Sequence, residues 1–167
     1  MPSASAGTPK TTIRALTASD RPWVSDLVSA HFGSARVVSR GVLHEATALP
    51  GLMAEYGGRR VGVLLYDLDV RPCEVVVLVV ERRRHGVGRA LLEAVEPIAR
   101  AAGCRRLWLV TTNNNRGALS FYPAVGWRQV AVHRGAVAAA RRLKPELPEV
   151  DEHGTPIEDE IEFARRL

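Results

Sequence analysis

The sequence predicts a single mixed α/β domain, a mixed sheet with helices on both faces. Three observations lead there. Residues 74–80 are almost wholly aliphatic and β-branched, as befits a central strand buried on both sides, and 106–111 read as another buried strand. Between them Val87, Leu91, Leu92, Val95, Ile98 and Ala99 form one apolar stripe at helical spacing. The chain as a whole reads strand, helix, three strands, helix, strand, helix, strand, strand, an order that packs helices on both faces of a mixed sheet.

Each element has a local reason. Residues 1–11 are small and polar and read as a disordered tail, so the domain spans 12–167. Residues 12–16 suit a short strand. Ser19-Asp20 offers N-cap chemistry, Pro22 fits a first helical turn, and Trp23, Leu27 and Ala30 carry a helix to about Phe32. Residues 33–50 read as either a second short helix or a mobile loop. Residues 52–56 and 59–68 form a hairpin about Gly57-Gly58. Arg71-Pro72 breaks the pattern before the strand at 74–80. The helix at 87–102 contains Pro97, which should kink it, and Gly103 closes it. After the strand at 106–111 and Asn113-Asn114-Asn115, a short helix covers 116–124, where Pro123 disfavours helical torsions at Tyr122. Strands follow at 127–133 and 157–164. Lys144, Pro145 and Pro148 between them argue for a long loop.

Composition narrows the function. The chain has 167 residues, enough for one domain with a real core, and no apolar run approaches a membrane span. No apolar leader core is present, so a cytoplasmic protein is expected, with no membrane partner. Cys73 and Cys104 are far apart in sequence, which makes a disulfide framework and a zinc site improbable, and no metal is expected. The net charge is +5, almost all of it arginine. Arg82, Arg83, Arg84 and Arg89 crowd one turn, where a single phosphorylated ligand could collect them. Little aromatic interleaving accompanies them, so nucleic acid is the weaker reading.

That turn, Arg83-Arg84-His85-Gly86-Val87-Gly88-Arg89, carries the first chemistry. A strand enters it and a helix leaves it. Gly86 and Gly88 allow close backbone approach. The first N–H groups of the helix have no internal partner, and the helix dipole favours an anion there. Arg83, Arg84 and Arg89 add charge-assisted bonds. The sum is a pyrophosphate site. Gly86-Val87-Gly88-Arg89-Ala90-Leu91 lacks the third glycine of a dinucleotide fingerprint.

Two motifs together resemble the GCN5-related N-acetyltransferases. Arg83, Gly86 and Gly88 match that family's Gln or Arg, x, x, Gly, x, Gly or Ala turn. Residues 115–122, Asn-Arg-Gly-Ala-Leu-Ser-Phe-Tyr, with Gly126-Trp127 after them, look like its second segment, with Trp in place of the usual Phe. The resemblance implies a mostly antiparallel sheet of six or seven strands, splayed between the fourth and fifth. It implies acetyl-CoA as co-substrate, with pantetheine pairing along Leu78, Val79 and Val80. Backbone groups from Arg84 through His85, Gly86, Val87 and Gly88 to Arg89 would hold the pyrophosphate, with Asn115 on the pantetheine or adenosyl side. It implies an amine acceptor attacked directly in a ternary complex, and it leaves either a monomer or a homodimer open, since many relatives dimerise but no isolated apolar face declares itself in the sequence.

Tyr122 is then the candidate general acid, because a phenol stays protonated at neutral pH. Glu74 is the candidate base: a carboxylate on a central strand is unexpected without work or a partner. By strand alternation it should share a face with Val76, Leu78 and Val80. Glu81, His44 and His133 are rivals. Late in the chain, Glu158, Glu160 and Glu162 share one face, either an acidic wall favouring a cationic acceptor or the solvent side of an edge strand. A non-catalytic acyl-CoA sensor of the same fold is the alternative function.

Overall fold

The computed structural model describes residues 7–69, 73–81 and 85–167. The strands and helices run β1 (Thr11–Ala15), α1 (Arg21–Phe32), β2 (Arg36–Ser39), β3 (Val42–Glu45), β4 (Gly51–Tyr56), β5 (Arg59–Asp67) and β6 (Cys73–Val80). They continue with α2 (Val87–Ala101), β7 (Arg106–Thr112), α3 (Arg116–Ala124), β8 (Arg128–His133), α4 (Ala136–Leu143) and β9 (Glu160–Arg166). Seven strands form one sheet in the order β1-β4-β5-β6-β7-β9-β8, and β2 with β3 makes a separate hairpin. Every pair in the main sheet is antiparallel except β6 with β7.

The exception organises the molecule. β6 and β7 pair only at Cys73–Leu107 and Glu74–Trp108. Beyond Glu74, β6 continues to Val80 without a β7 partner, while β7 turns its other edge to β9 along its whole length. The sheet therefore splits between its fourth and fifth strands in chain order, as the family resemblance implied.

Two apolar clusters sit on the two faces. On one, α2 and α3 pack Val87, Leu91, Leu92, Val95, Tyr122 and Trp127 against Val75, Leu109 and Phe163. On the other, α1 packs Val24, Leu27 and Val28 against Val37, Met53, Val63, Val77 and Val79. The stripe expected for α2 is the buried one. Pro97 stands inside α2, which runs on to Ala101, and Gly103 follows with a left-handed backbone.

Four expectations are corrected. Residues 33–50 hold the β2–β3 hairpin, turned at Arg40-Gly41, where both residues have positive φ (47 and 78°). That is the backbone a two-residue hairpin turn requires. The stretch read as a long loop contains α4, whose Ala-rich sequence favours helix. Cys73 and Cys104 are joined in a disulfide: the parallel start of β6 and β7 brings their Cα atoms to 6.1 Å despite a sequence separation of 31. Finally, β9 is no edge strand; it lies between β7 and β8.

Lys144, just past α4, ties the late chain to the hairpin. Its side chain is buried, and its ammonium donates to the carbonyls of Phe32 and Arg36, the latter at 2.6 Å. Burial pushes its pKa down. Lys144→Ala should lower stability by roughly 2–4 kcal/mol, read from the urea midpoint, because two carbonyls lose their donor and a cavity opens.

Candidate active site

The donor side is backbone. The bond from Glu81 N–H to the Val61 carbonyl (2.8 Å) sets the phase of the β5–β6 ladder. In an antiparallel pair, inward- and outward-pointing residues alternate. Val79 and Val77 therefore spend their N–H and C=O on β5, while Leu78 and Val80 turn theirs to the open edge facing the gap. Val79, expected among the pantetheine partners, presents neither backbone group there, and its side chain is buried on the α1 face.

At the far end of β6 the turn delivers the start of α2. Gly86 is its N-cap with φ of 71°, a conformation that favours glycine. The first bond of the helix runs from Ala90 N–H to Gly86 C=O at 2.9 Å. The N–H groups of Val87, Gly88 and Arg89 precede it and have no carbonyl one turn back. Gly88 has a second reason to be glycine: a Cβ there would lie 2.9 Å from the Phe121 ring, which packs α3 across the first turn of α2. His85 is exposed and its ring stands 6.3 Å from that of Tyr56. Arg89 is exposed, 4.0 Å from Glu93. Arg83 and Arg84 lie outside the described residues. Asn115 caps α3: its Oδ1 accepts from Ala118 N–H at 3.1 Å, so that oxygen already has structural work.

Tyr122 sits in α3, which stays helical through Pro123. Its ring lies 5.2 Å from Phe121, 6.0 Å from Trp127 and 5.4 Å from Phe163. Burial raises its pKa above the usual phenol value, so it holds its proton at neutral pH.

Glu74 is only 2% exposed and lies at the root of the gap. Its side chain faces away from Tyr122, toward the hairpin. The expected face-sharing is corrected by a bulge: Leu65 pairs with Val77 but Tyr66 with Val75, so Val76 is an extra residue in β6. Past the bulge the alternation inverts, and Glu74 shares its face with Val76, Val77 and Val79 instead of Leu78 and Val80. Its Oε1 accepts from the Ser39 hydroxyl, and its Oε2 lies 3.6 Å from His44 Nε2. Burial pushes its pKa up to about 7, the Ser39 hydrogen bond partly opposes this, and the charges of Asp67, Glu160 and Glu162 add to the rise.

The wall beyond is acidic, and it is partly buried. Glu160 is 5% exposed and accepts from the Arg40 N–H at 3.1 Å. Glu162 contacts His133 Nε2 and Arg106, both at 2.7 Å. His133 therefore belongs to the wall. Glu81, the rival base, is exposed at the opposite end of β6, beside a groove along α1 lined by Trp23, Asp26 and His31. Ser39 and Asp67 were not singled out from the sequence. Asp67 left a trace, an acid ending an apolar strand. Ser39 left only its place before the Arg40-Gly41 turn.

Residues 20–127 match the family model of the acetyltransferase (GNAT) family. This chain belongs to that family. YdhI of Bacillus subtilis strain 168 is 38% identical over 143 residues, covering 85% of this chain and 89% of YdhI. Among solved structures, an IAA acetyltransferase from Bacillus cereus aligns with a TM-score of 0.72 at 22% identity, covering 95% of this chain and 100% of that one. A GNAT family acetyltransferase from Elizabethkingia anophelis, with acetyl-CoA bound, aligns at 0.71 and 23% identity, over 94% of this chain and 98% of that one. These likenesses establish the shared fold.

The buried carboxylate has a measurable cost. A carboxyl raised in the folded state favours folding while protonated, and that advantage is lost as pH rises through about 7. Glu74→Gln should therefore stabilise the protein at pH 8 by roughly 2–3 kcal/mol and change little below pH 4, seen as a pH-dependent difference in urea midpoints. The two glycines should also separate. Gly88→Ala should lower the melting temperature through the Phe121 clash, whereas Gly86→Ala, with open space around its Cβ, costs roughly 1 kcal/mol for its torsion.

Proposed function

We propose that this chain transfers an acetyl group from acetyl-CoA to a primary amine by direct attack in a ternary complex. The observation that carries the reading is the position of Glu74, a buried carboxylate poised near neutrality at the root of a split sheet. The split has the chemistry of a thioester channel. Leu78 and Val80 offer backbone groups to the pantetheine amides. The N–H groups of Val87, Gly88 and Arg89 at the start of α2 receive the pyrophosphate, with Gly86 giving the turn and His85 next to it in the chain. Asn115 stands on the cofactor side through its free amide group.

Glu74 and Tyr122 lie on opposite faces of the sheet, and the proposal seats the thioester in the gap between them. Glu74 takes a proton from the incoming ammonium. The amine attacks the thioester carbonyl, and N–H groups on the open edge of β6 stabilise the oxyanion. Collapse expels the thiolate, which Tyr122 protonates. The acidic wall of Glu160 and Glu162 favours a cationic acceptor.

Calorimetry should show saturable acetyl-CoA binding with Kd on the order of 1–100 μM. No heat at near-millimolar acetyl-CoA would sink the proposal. Over a panel of primary amines, transfer should rise between pH 6 and 8 with a midpoint near 7 as Glu74 ionises. Glu74→Gln should lower kcat by roughly 10²–10⁴-fold, and Tyr122→Phe by about 10²-fold, with acetyl-CoA affinity kept. A Tyr122→Phe enzyme as fast as wild type removes Tyr122 from the mechanism. Binding without turnover of any amine marks the sensor.

A further inference from the structure

Proton counting at the acceptor nitrogen exposes a gap in the scheme above. The nitrogen enters as an ammonium with three hydrogens and leaves as an amide with one. One of the two lost protons is balanced by the new thiol, and the other must reach solvent. Glu74 can hold a single proton, and it is only 2% exposed. Unless it is emptied before the tetrahedral intermediate collapses, nothing at its position can take the second proton.

The group beside it fits that task. His44, on β3, has a side chain 4% exposed and is flanked by two carboxylates: Nε2 lies 3.6 Å from Glu74 Oε2, and Nδ1 lies 3.8 Å from Asp67 Oδ2. Among the described residues its Nε2 is buried with no hydrogen-bond partner, an uncommon condition for a histidine nitrogen. Both separations exceed a hydrogen bond by less than about 1 Å, which a ring rotation closes. Asp67 is the more exposed carboxylate, 18% against 3% for the Glu74 side chain, so the cluster opens to solvent on its Asp67 side.

We infer that His44, oriented by Asp67, is a positioning and proton-accepting partner of Glu74 that empties the base within each turnover. The inference rests on Glu74 being the base. Asp67 holds the Nδ1–H, which leaves Nε2 bare. Glu74 receives the first ammonium proton and passes it to Nε2, and the imidazolium rests between two carboxylates. Glu74, ionised again, takes the second proton as the intermediate collapses. On product release the Nε2 proton passes to water, and the second proton returns from Glu74 through solvent in the emptied gap to the Tyr122 phenolate that protonated the thiolate, so the ring, the base and the acid all regain their starting states. The other charges around this pair are accounted for. Ser39 on β2 donates to Glu74, and Glu160 and Glu162 on β9 act on it from a distance, Glu160 near Arg40 and Glu162 near Arg106 and His133. Burial lowers the His44 pKa, which keeps the ring neutral at pH 7, and the Asp67 charge opposes that shift by favouring the imidazolium.

Two measurements test this, and the first needs no acceptor. Nitrogen-15 spectra of the imidazoles, with His44 assigned by its loss in His44→Gln, should show a neutral ring protonated on Nδ1. Its titration midpoint should move by at least about half a pH unit in Glu74→Gln and in Asp67→Asn. An unchanged His44 titration in both variants overturns the inference. The second measurement uses whichever panel amine is turned over. His44→Ala should lose roughly 10-fold in kcat with KM and acetyl-CoA affinity kept, lose most below pH 7, and regain rate with added imidazole. A pH profile parallel to wild type with no imidazole rescue also overturns it. If Glu74→Gln abolishes transfer while His44 titrates independently, the base assignment stands and the partnership fails. If acetyl-CoA does not bind, the acetyltransferase reading fails, and the titration still decides whether the two groups are coupled.

Discussion

The parallel contact between β6 and β7 is two residues long, and nearly everything else follows from where it stops. A fully zipped β6 would have no free edge. Because β7 diverges from β6 after Trp108 while its other edge stays paired with β9, alternate residues of β6 keep their N–H and C=O pointing into open space. Buried backbone groups demand partners, so an edge of this kind inside a sheet is a template for a ligand with amides of its own. The bulge at Val76 lies just past the point of divergence. It rotates the strand's faces, so the carboxylate of Glu74 and the backbone edge of Leu78 and Val80 are displayed in different directions.

That arrangement separates the chemistry of the two faces. The α2–α3 face is a dry aromatic and aliphatic core, and Tyr122 keeps its proton there because burial disfavours the phenolate. The hairpin face holds Glu74, Ser39, His44 and Asp67, four polar groups drawn from four strands. Burial alone would neutralise Glu74. The surrounding carboxylates push the same way, and one hydroxyl pushes back. The result is a carboxyl group near neutrality, bought with folding stability. Lys144 extends the dependence outward: its bonds to the Phe32 and Arg36 carbonyls fix the start of β2, and β2 delivers Ser39.

Much of this was legible in particular residues. The aliphatic run before the glycine turn marked a central strand, the apolar stripe marked α2, and Gly86, Gly88 and the 115–122 segment pointed to the family. Glu74 was conspicuous as an acid on a buried strand. The hairpin was illegible because four-residue strands carry too little alternation, and a turn of Arg40-Gly41 is a weak hairpin signal. The missed α4 is different: its alanines favour helix, but prolines nearby outweighed them in the reading. Cys73 and Cys104 looked unrelated because their meeting depends on strand pairing across 31 positions.

By itself the sequence determined the seven strands of the main sheet, α1 to α3, the glycine turn that opens α2 and the identity of two chemically suited groups, Tyr122 and Glu74. Local periodicity, glycine torsions and side-chain chemistry are properties of short segments and survive without a fold. Only the tertiary structure decided which face Glu74 occupies, that Val79 is spent on β5, and that Ser39, His44 and Asp67 surround the Glu74 carboxylate. Those facts depend on one inserted residue in β6 and on contacts between strands far apart in the chain, which no local pattern encodes.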